Sequence, residues 1–424
     1  MQLQSIQNGI FGKFVYFLTI LLFFLSIALV RFMIWNIPAR AFLVIFIFLL
    51  CLFVQPHLLS KAIHDLFGIF IIIFYTALLG CVLSFINGQD IGMIVEQIIE
   101  IHIQAVIGVC CGYFLLNIIG PKRLGKSFLM TVFASGILAL FQFAHVDFAW
   151  NIREYLQQYQ NFIDVVYLTE RSRAFGLSLT PVHLATQVCY GFAVWTSLRL
   201  LAADNYQNKH MFRIALKPLT VMIIFAVASG NRSPLLGFGI FILVALFFAR
   251  PLLTLLVGTL TIPLLFVLCE NYNAVYGYFK GYEIRALRVG DKSSQGREVL
   301  RAYGWLLFRY NPFGYGLNFS SVNYASKFWS QISQFENAQS ILVNAVHNYY
   351  LNILHKYGIL ILPVAFYVFR TLIRHLYILM IFIPYIVHAY FHNDGPLQSD
   401  FIIWYFIPLF QLVVSNISSD SKEA

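Results

Sequence analysis

The chain has 424 residues, 60% of them hydrophobic and 11% charged, with a mean hydropathy of +0.76. Soluble domains run at about 45–50% apolar and 25% charged, so a soluble globular protein is excluded and an all-α polytopic membrane protein is expected. The net charge of +10 would suggest a nucleic-acid partner in a soluble chain. Here it follows from the Lys and Arg that cytoplasmic loops retain, and no nucleic acid is expected.

The N-terminus has only Lys13 before an apolar run, with no small-residue cleavage site beyond it, and reads as an uncleaved first span. A span needs about 17–25 mostly apolar residues. On that criterion about 12 transmembrane helices are expected: Phe14–Val30, Ala39–Val54, Leu66–Ile86, Glu100–Gly120, Leu124–Ala144, Leu177–Leu201, Leu216–Ser229, Pro234–Ala249, Pro251–Cys269, His347–Phe369, His375–Phe391 and Ile402–Val414. Four regions follow. Residues 1–145 hold N-terminal helices, 146–269 central helices with an outward amphipathic loop, 270–346 a large periplasmic loop, and 347–424 C-terminal helices.

Lys61, Lys122, Arg123, Lys126, Arg199, Lys209, Arg213, Lys217, Arg250, Arg370 and Arg374 fall in even-numbered connections. The connections Asn87–Gln97 and His392–Asp400 have no Lys or Arg. Both termini are therefore expected in the cytoplasm; Arg31 and Arg40, in the first outward connection, run against this pattern. The loop Val146–Gly176, the turn Ser229–Pro234 and the long loop Glu270–Ala345 then face outward together, beside His347.

Within the first of these loops, Ile152, Tyr155, Leu156, Tyr159, Phe162, Ile163 and Val166 share one helical face, with Arg153, Gln157, Gln158, Gln160 and Asp164 elsewhere. An amphipathic helix at the membrane surface is expected, or a cap packed on the spans. Gly296 to Tyr310 also reads as helix, with the stripe Val299, Leu300, Tyr303, Leu306, Leu307 and Tyr310, ending at the turn-rich Asn311-Pro312-Phe313-Gly314-Tyr315-Gly316. The six cysteines, at 51, 81, 110, 111, 189 and 269, lie in or at the end of apolar segments. Neither a disulfide framework nor a zinc site is indicated.

Four of the outward arginines are candidates for binding: Arg173 before a span opening with Thr180-Pro181, Arg232 in a short turn, and Arg297 and Arg301 as an i,i+4 pair. A like-charged i,i+4 pair costs a few tenths of a kcal/mol unless an anion bridges it. The guanidinium fork matches phosphate oxygens, so a phosphate or diphosphate site is expected; the alternative is snorkelling to lipid headgroups. His347 has the pKa range of a general base, about 6.5 unperturbed. Asn348 either orients a substrate hydroxyl or caps a helix. Lys356, about 13 Å deeper at 1.5 Å per residue, reads as an intramembrane charge. The outward side is read as having no D-x-D, H-x-x-x-H or paired-carboxylate cluster for Mg²⁺ or Zn²⁺, and no P-loop or G-x-S-x-G elbow occurs. No metal or cofactor is expected.

These pieces resemble the O-antigen ligase and polymerase family of bacterial envelope assembly. The matching elements are Arg173-x-x-Gly176 followed by Pro181 and Ala185, Ser229-x-x-Arg232-Ser233, and Gly296-Arg297 followed by Pro312-x-Gly314-x-Gly316. The last is His347-Asn348-x-Tyr350-Leu351-x-x-Leu354-x-x-x-Gly358. The resemblance covers Arg171 to Gly358. It departs at Lys356, where the family often has an acidic residue.

The resemblance implies an inner-membrane enzyme of about a dozen helices whose active site faces the periplasm, with membrane lipids around it. Its donor would be an oligosaccharide on undecaprenyl diphosphate. Its acceptor would be a second lipid-linked glycan, in a polymerase, or lipid A core, in a ligase, and the transfer would be metal-independent. Carried over, Arg173, Arg232 and Arg297 would bind the diphosphate, with Arg301, Asn348 and Tyr350 beside them. Arg232 would also stabilise the departing charge, and His347 would position or deprotonate the acceptor hydroxyl. A transporter or flippase of the same lipid-linked glycan is the alternative. Such proteins tend to carry internal repeats and midplane ionisable residues, whereas the basic residues here concentrate at the outward ends.

Overall fold

The computed structural model describes residues 9–423 except 36, 160–170, 172, 204–209, 257–258, 260–291 and 399. Its helices are α1 (Ile10–Ala28), α2 (Ala39–Val54), α3 (His57–Asp65), α4 (Phe67–Ile86), α5 (Ile91–Gln97), α6 (Gln104–Ile119), α7 (Pro121–Phe143), α8 (Asp147–Gln157), α9 (Pro181–Leu201), α10 (Met211–Ser229) and α11 (Arg232–Ala249). Then come α12 (Lys292–Tyr310), α13 (Ala325–Ile332), α14 (Ser340–Val343), α15 (Tyr349–Tyr357), α16 (Leu362–Arg374), α17 (Leu376–Phe391) and α18 (Ile402–Glu423). A π-turn, Ile98–Ile103, joins α5 to α6, and a two-stranded hairpin, Met33–Ile34 with Ile37–Pro38, precedes α2. The protein is an all-α polytopic membrane protein.

Among the described residues, seven helical stretches are long and apolar enough to span a bilayer: α1, α4, α5 through α6, α7, α10, α11, and α15 through α16. An eighth is the pair α2 and α3, bent by 111° at Gln55-Pro56, where proline's missing N–H and the steric demand it places on the preceding residue interrupt the helix. Of the other expected spans, Leu376–Phe391 and Ile402–Ile417 are shorter apolar helices, and Pro251–Cys269 lies largely outside the described residues.

Helix α9 falls below the apolar threshold for a span, for a clear physical reason. Thr186, Gln187, Thr196 and Ser197 are buried along it together with Leu184, Val188, Phe192 and Val194. It packs against α7, α10 and α17, so protein surrounds it and its polar side chains do not face hydrocarbon.

The long loop folds on a core of its own. Val299, Leu300, Tyr303 and Leu307 of α12 pack with Tyr315, Phe328, Ile332, Ile341, Val346 and Leu351. Tyr310, expected in that stripe, is instead 55% exposed, its ring beneath the ammonium of Lys327. The segment after α12 then runs beside the end of α15: Tyr315 N donates to His355 O (2.7 Å), Gly316 N to Lys356 O (3.0 Å), and Ile359 N to Pro312 O (2.8 Å). Gly358, at φ +62°, closes this joint, because a Cβ there would lie 2.1 Å from the Phe313 carbonyl carbon. The same segment seats on the end of α4, where Leu317 N donates to Ser84 Oγ (2.7 Å) and Gln89 Nε2 to Tyr315 O (2.8 Å).

Helix α8, which begins at Asp147, covers the first part of the expected amphipathic segment and meets the protein with the other face. Trp150, Arg153 and Gln157 are buried against the bundle, Arg153 Nη2 donating to Gln157 Oε1 at 2.9 Å, while Tyr155 and Tyr159 stand exposed. Phe162, Ile163 and Val166 lie outside the described residues.

Candidate functional site

The loop before α9 is fixed from below by α7. Gln142 Oε1 accepts from Phe175 N (3.0 Å) and Gly176 N (2.8 Å), and Ser135 Oγ accepts from Leu177 N (3.0 Å). Gly176 has φ +57°, and a Cβ would lie 2.0 Å from Ser135 O, so only glycine lets the loop approach this closely. Thr180 then caps α9, accepting from His183 N at 3.3 Å, with Pro181 in the first turn. Arg173 is thereby held over the turn between α10 and α11: its Cγ stands 3.9 Å from where a Cβ of Gly230 would be. Asn231 Nδ2 ties that turn back to Pro181 O at 2.7 Å. Arg232 is the first residue of α11.

Next to Arg232, Ser233 joins a hydrogen-bonded chain. Thr186 Oγ1 lies 3.1 Å from both Asp394 Oδ2 and Val182 O and 3.0 Å from His388 Nε2, and His388 Nδ1 lies 2.9 Å from Ser233 Oγ, so the two imidazole nitrogens bridge the two hydroxyls. The His388 and His392 rings lie 4.4 Å apart. His392 O accepts from Tyr349 N at 2.8 Å, which brings the start of α15 to the same place. Burial holds the His392 imidazole well below its ordinary pKa, reinforced by His388, Arg297, His347 and Arg173. Arg173, Arg297 and His347 therefore lie within electrostatic reach of His392, just past the end of α17.

Asn348 caps α15 through Oδ1, which accepts from Leu351 N at 3.0 Å; of its two expected roles, capping is the one observed. Asn352 Nδ2 donates to both Val346 O (2.9 Å) and Asn393 Oδ1 (2.8 Å), which turns Asn393 Nδ2 toward His347 Nδ1 at 3.4 Å. With both Asn352 donors committed, the Asn393 amide has one satisfying orientation. His347 accepts there and carries its proton on Nε2. His347 is exposed at its surface, yet burial of the ring depresses its pKa below 6.5, with Arg297 adding to the depression and Asp394 opposing it. The imidazole is neutral at pH 7.

Arg301 donates to Tyr390 Oη at 3.4 Å, its guanidinium carbon 5.4 Å from that ring. Tyr350 Oη donates to Ile386 O at 3.0 Å, so its hydroxyl joins α15 to α17. Asp400, in the loop before α18, accepts from Tyr190 Oη; burial raises its pKa to about 7 against the opposing effect of that bond.

The sequence reading missed His388, His392, Asn393, Asp394 and Thr186. It also misread the outward side in one respect: His388-Ala389-Tyr390-Phe391-His392 is an H-x-x-x-H spacing, the signal that could have found the pair. Both nitrogens of His388 are engaged by hydroxyls. Among the described residues no three His, Cys, Asp or Glu side chains are arranged to hold a metal ion.

The fold and the site define a polytopic membrane protein in which arginines and a neutral histidine converge at one end of the bundle. Residues 218–366 match the family model described as O-antigen ligase, and this match supports an O-antigen ligase and polymerase family assignment. No curated protein matches the chain. The matched segment contains Arg232, Arg297, Arg301, His347, Asn348 and Tyr350, whereas Arg173, His388 and Asp394 lie outside it. The match supports a role in O-antigen and lipopolysaccharide assembly.

Proposed function

We propose that the chain is a metal-independent glycosyltransferase of the bacterial inner membrane. It moves an oligosaccharide from undecaprenyl diphosphate to a hydroxyl acceptor on the periplasmic face. The observation that carries this reading is the convergence on the end of α17 of Arg173 and Arg297 with the neutral His347, next to the turn that bears Arg232.

The reaction is a displacement at the anomeric carbon. The acceptor oxygen forms the new C–O bond and the C–O bond to the diphosphate breaks. The electron pair leaves on a diphosphate oxygen, where Arg173, Arg232 and Arg297 meet the growing charge; such preorganised stabilisation is usually the largest single contribution to catalysis. The acceptor proton passes to His347, a step worth about 10²–10⁴-fold. That step needs a free acceptor nitrogen. The acceptor hydroxyl takes the place of Asn393 at Nδ1, a 3.4 Å contact weak enough to yield. Arg301, beside Tyr390, steadies the glycan or its diphosphate.

The acceptor is a second lipid-linked repeat in a polymerase or lipid A core in a ligase. The test is a reconstituted assay with lipid-linked oligosaccharide alone and with lipid A core added. Chain growth without core assigns polymerase, and bond formation only with core assigns ligase. Glycan movement with no new glycosidic bond would assign a flippase instead and overturn the proposal.

A further inference from the structure

The long loop carries a second feature that the transfer chemistry does not use. A cleft of about 620 Å³ is lined by Trp305 and Arg309 of α12, Gln331 and Ile332 of α13, and Gln334 and Phe335 of the turn that follows. Ile332 belongs to the buried core of the loop, whereas Trp305 is 46% and Phe335 43% exposed. Large apolar side chains left open beside a core and edged by polar groups mark an interaction site. Both rings are held in place. The Trp305 ring meets Phe308 edge-on, centroids 6.0 Å apart, and Phe335 N donates to Ile332 O at 2.9 Å, which closes the turn. Arg309, Gln331 and Gln334 are exposed around them. Gln334 Nε2 lies 3.5 Å from Gln331 O, the outer limit of a hydrogen bond, so its amide is able to turn to a ligand.

Helix α12 ties this cleft to the arginines. Side chains four apart follow one another along a helix surface, so Arg297, Arg301, Trp305 and Arg309 form one slowly winding row. Contacts fix the row at two places: Arg301 reaches Tyr390 Oη on α17 at 3.4 Å, and Trp305 and Arg309 line the cleft. At 1.5 Å per residue, Trp305 stands about 12 Å and Arg309 about 18 Å along the axis from Arg297. A short oligosaccharide spans that interval.

We infer that the cleft is a subsite for the glycan of the donor, holding sugars a few units removed from the diphosphate. The inference rests on the proposed transferase reading, in which Arg297 binds that diphosphate. Trp305 and Phe335 offer rigid faces to the C–H side of a sugar ring, a large contact area at low entropic cost. The Gln331 and Gln334 amides donate to and accept from hydroxyls, and the Arg309 guanidinium donates to a hydroxyl or to the carboxylate of an acidic sugar. A hydrocarbon chain in the same place would desolvate the amides and the guanidinium and give them no partner. Sugars bound here keep the anomeric carbon in line for displacement, with binding energy drawn from a remote part of the substrate.

Native mass spectrometry of the purified chain in detergent tests the subsite with two titrants: undecaprenyl diphosphate bearing the oligosaccharide isolated from the producing cells, and undecaprenyl diphosphate alone. The wild type is expected to bind the glycosylated lipid more tightly. Trp305→Ala is expected to weaken the glycosylated lipid by about tenfold, the loss on truncating an aromatic anchor, and to leave the bare lipid unchanged. Trp305→Phe keeps an aromatic face and restores most of the affinity, and Gln331→Ala/Gln334→Ala acts in the same sense as Trp305→Ala. All of these positions are exposed, so the variants are expected to fold. Arg232→Ala, by contrast, weakens both titrants. No bond needs to form in this experiment, so a wild type that binds the glycosylated lipid but makes no glycosidic bond fails the transferase reading and leaves the subsite standing. Equal affinity of the wild type for the two titrants, or loss of both or of neither in Trp305→Ala, overturns the subsite. A wild-type dimer that Trp305→Ala dissociates assigns the cleft to a second copy of the chain and overturns it as well.

Discussion

His347 is neutral at pH 7 because desolvation of its ring and the nearby Arg297 lower its pKa, while Asp394 pulls the other way. A base must be unprotonated to act, so transfer should fall as pH drops through a pKa below 6.5. The neighbours set where that acid limb lies. Arg297→Gln removes a cation that depresses the pKa and should move the limb to higher pH; Asp394→Asn removes an anion that raises it and should move the limb lower. Opposite displacements in a pH–rate series check the assignment, and a limb that ignores both substitutions contradicts it. His347→Gln separates two roles: it keeps a hydrogen-bond donor and loses the base, so activity retained near wild type would make His347 a positioning residue only. Arg232→Ala should weaken binding of undecaprenyl diphosphate by about tenfold or more, the range for losing a charged hydrogen bond, as read by isothermal titration or displacement of labelled lipid. The sequence marked His347 and the arginines through residue type and motif. It did not disclose the chain Ser233–His388–Thr186–Asp394, whose members lie as much as 208 residues apart and meet only through the packing of α9, α11 and α17.

Among the elements, the joint between the long loop and α15 explains why Gly314, Gly316 and Gly358 recur in one pattern with His347. The loop strand and the end of α15 run within backbone hydrogen-bonding distance, leaving no space for a side chain at Gly358. Gly358→Ala should lower stability by at least about 2 kcal/mol, from the left-handed strain and the clash together. The expected consequence is a lower melting temperature in detergent and loss of transfer through displacement of His347 and α12. A melting temperature equal to wild type would contradict this account of the joint. The helical periods of α12 were legible because one side of it builds a core. The inner face of α8 was not, because its buried surface includes Arg153 and Gln157, which satisfy each other and which a hydropathy pattern assigns to the outside.

Across the whole molecule, hydropathy located the spans that touch lipid and lost its power where a helix is wrapped by others. Helix α9 reads as less apolar than its neighbours because protein surrounds it, and it contributes Thr186 and Tyr190 to the interior of the site. The N-terminal helices, which carried no functional motif, prove to hold the long loop through Ser84 and Gln89. The central claim is glycosyl transfer at the arginine and histidine site. It is tested most directly by reconstituting the purified chain with undecaprenyl-diphosphate-linked oligosaccharide and acceptor in a chelator, and following new glycosidic bonds for wild type and His347→Ala. The account predicts bond formation by the wild type, and for the folded variant no transfer but near-normal donor binding. Undiminished transfer by His347→Ala, or glycan translocation without bond formation by the wild type, would contradict it.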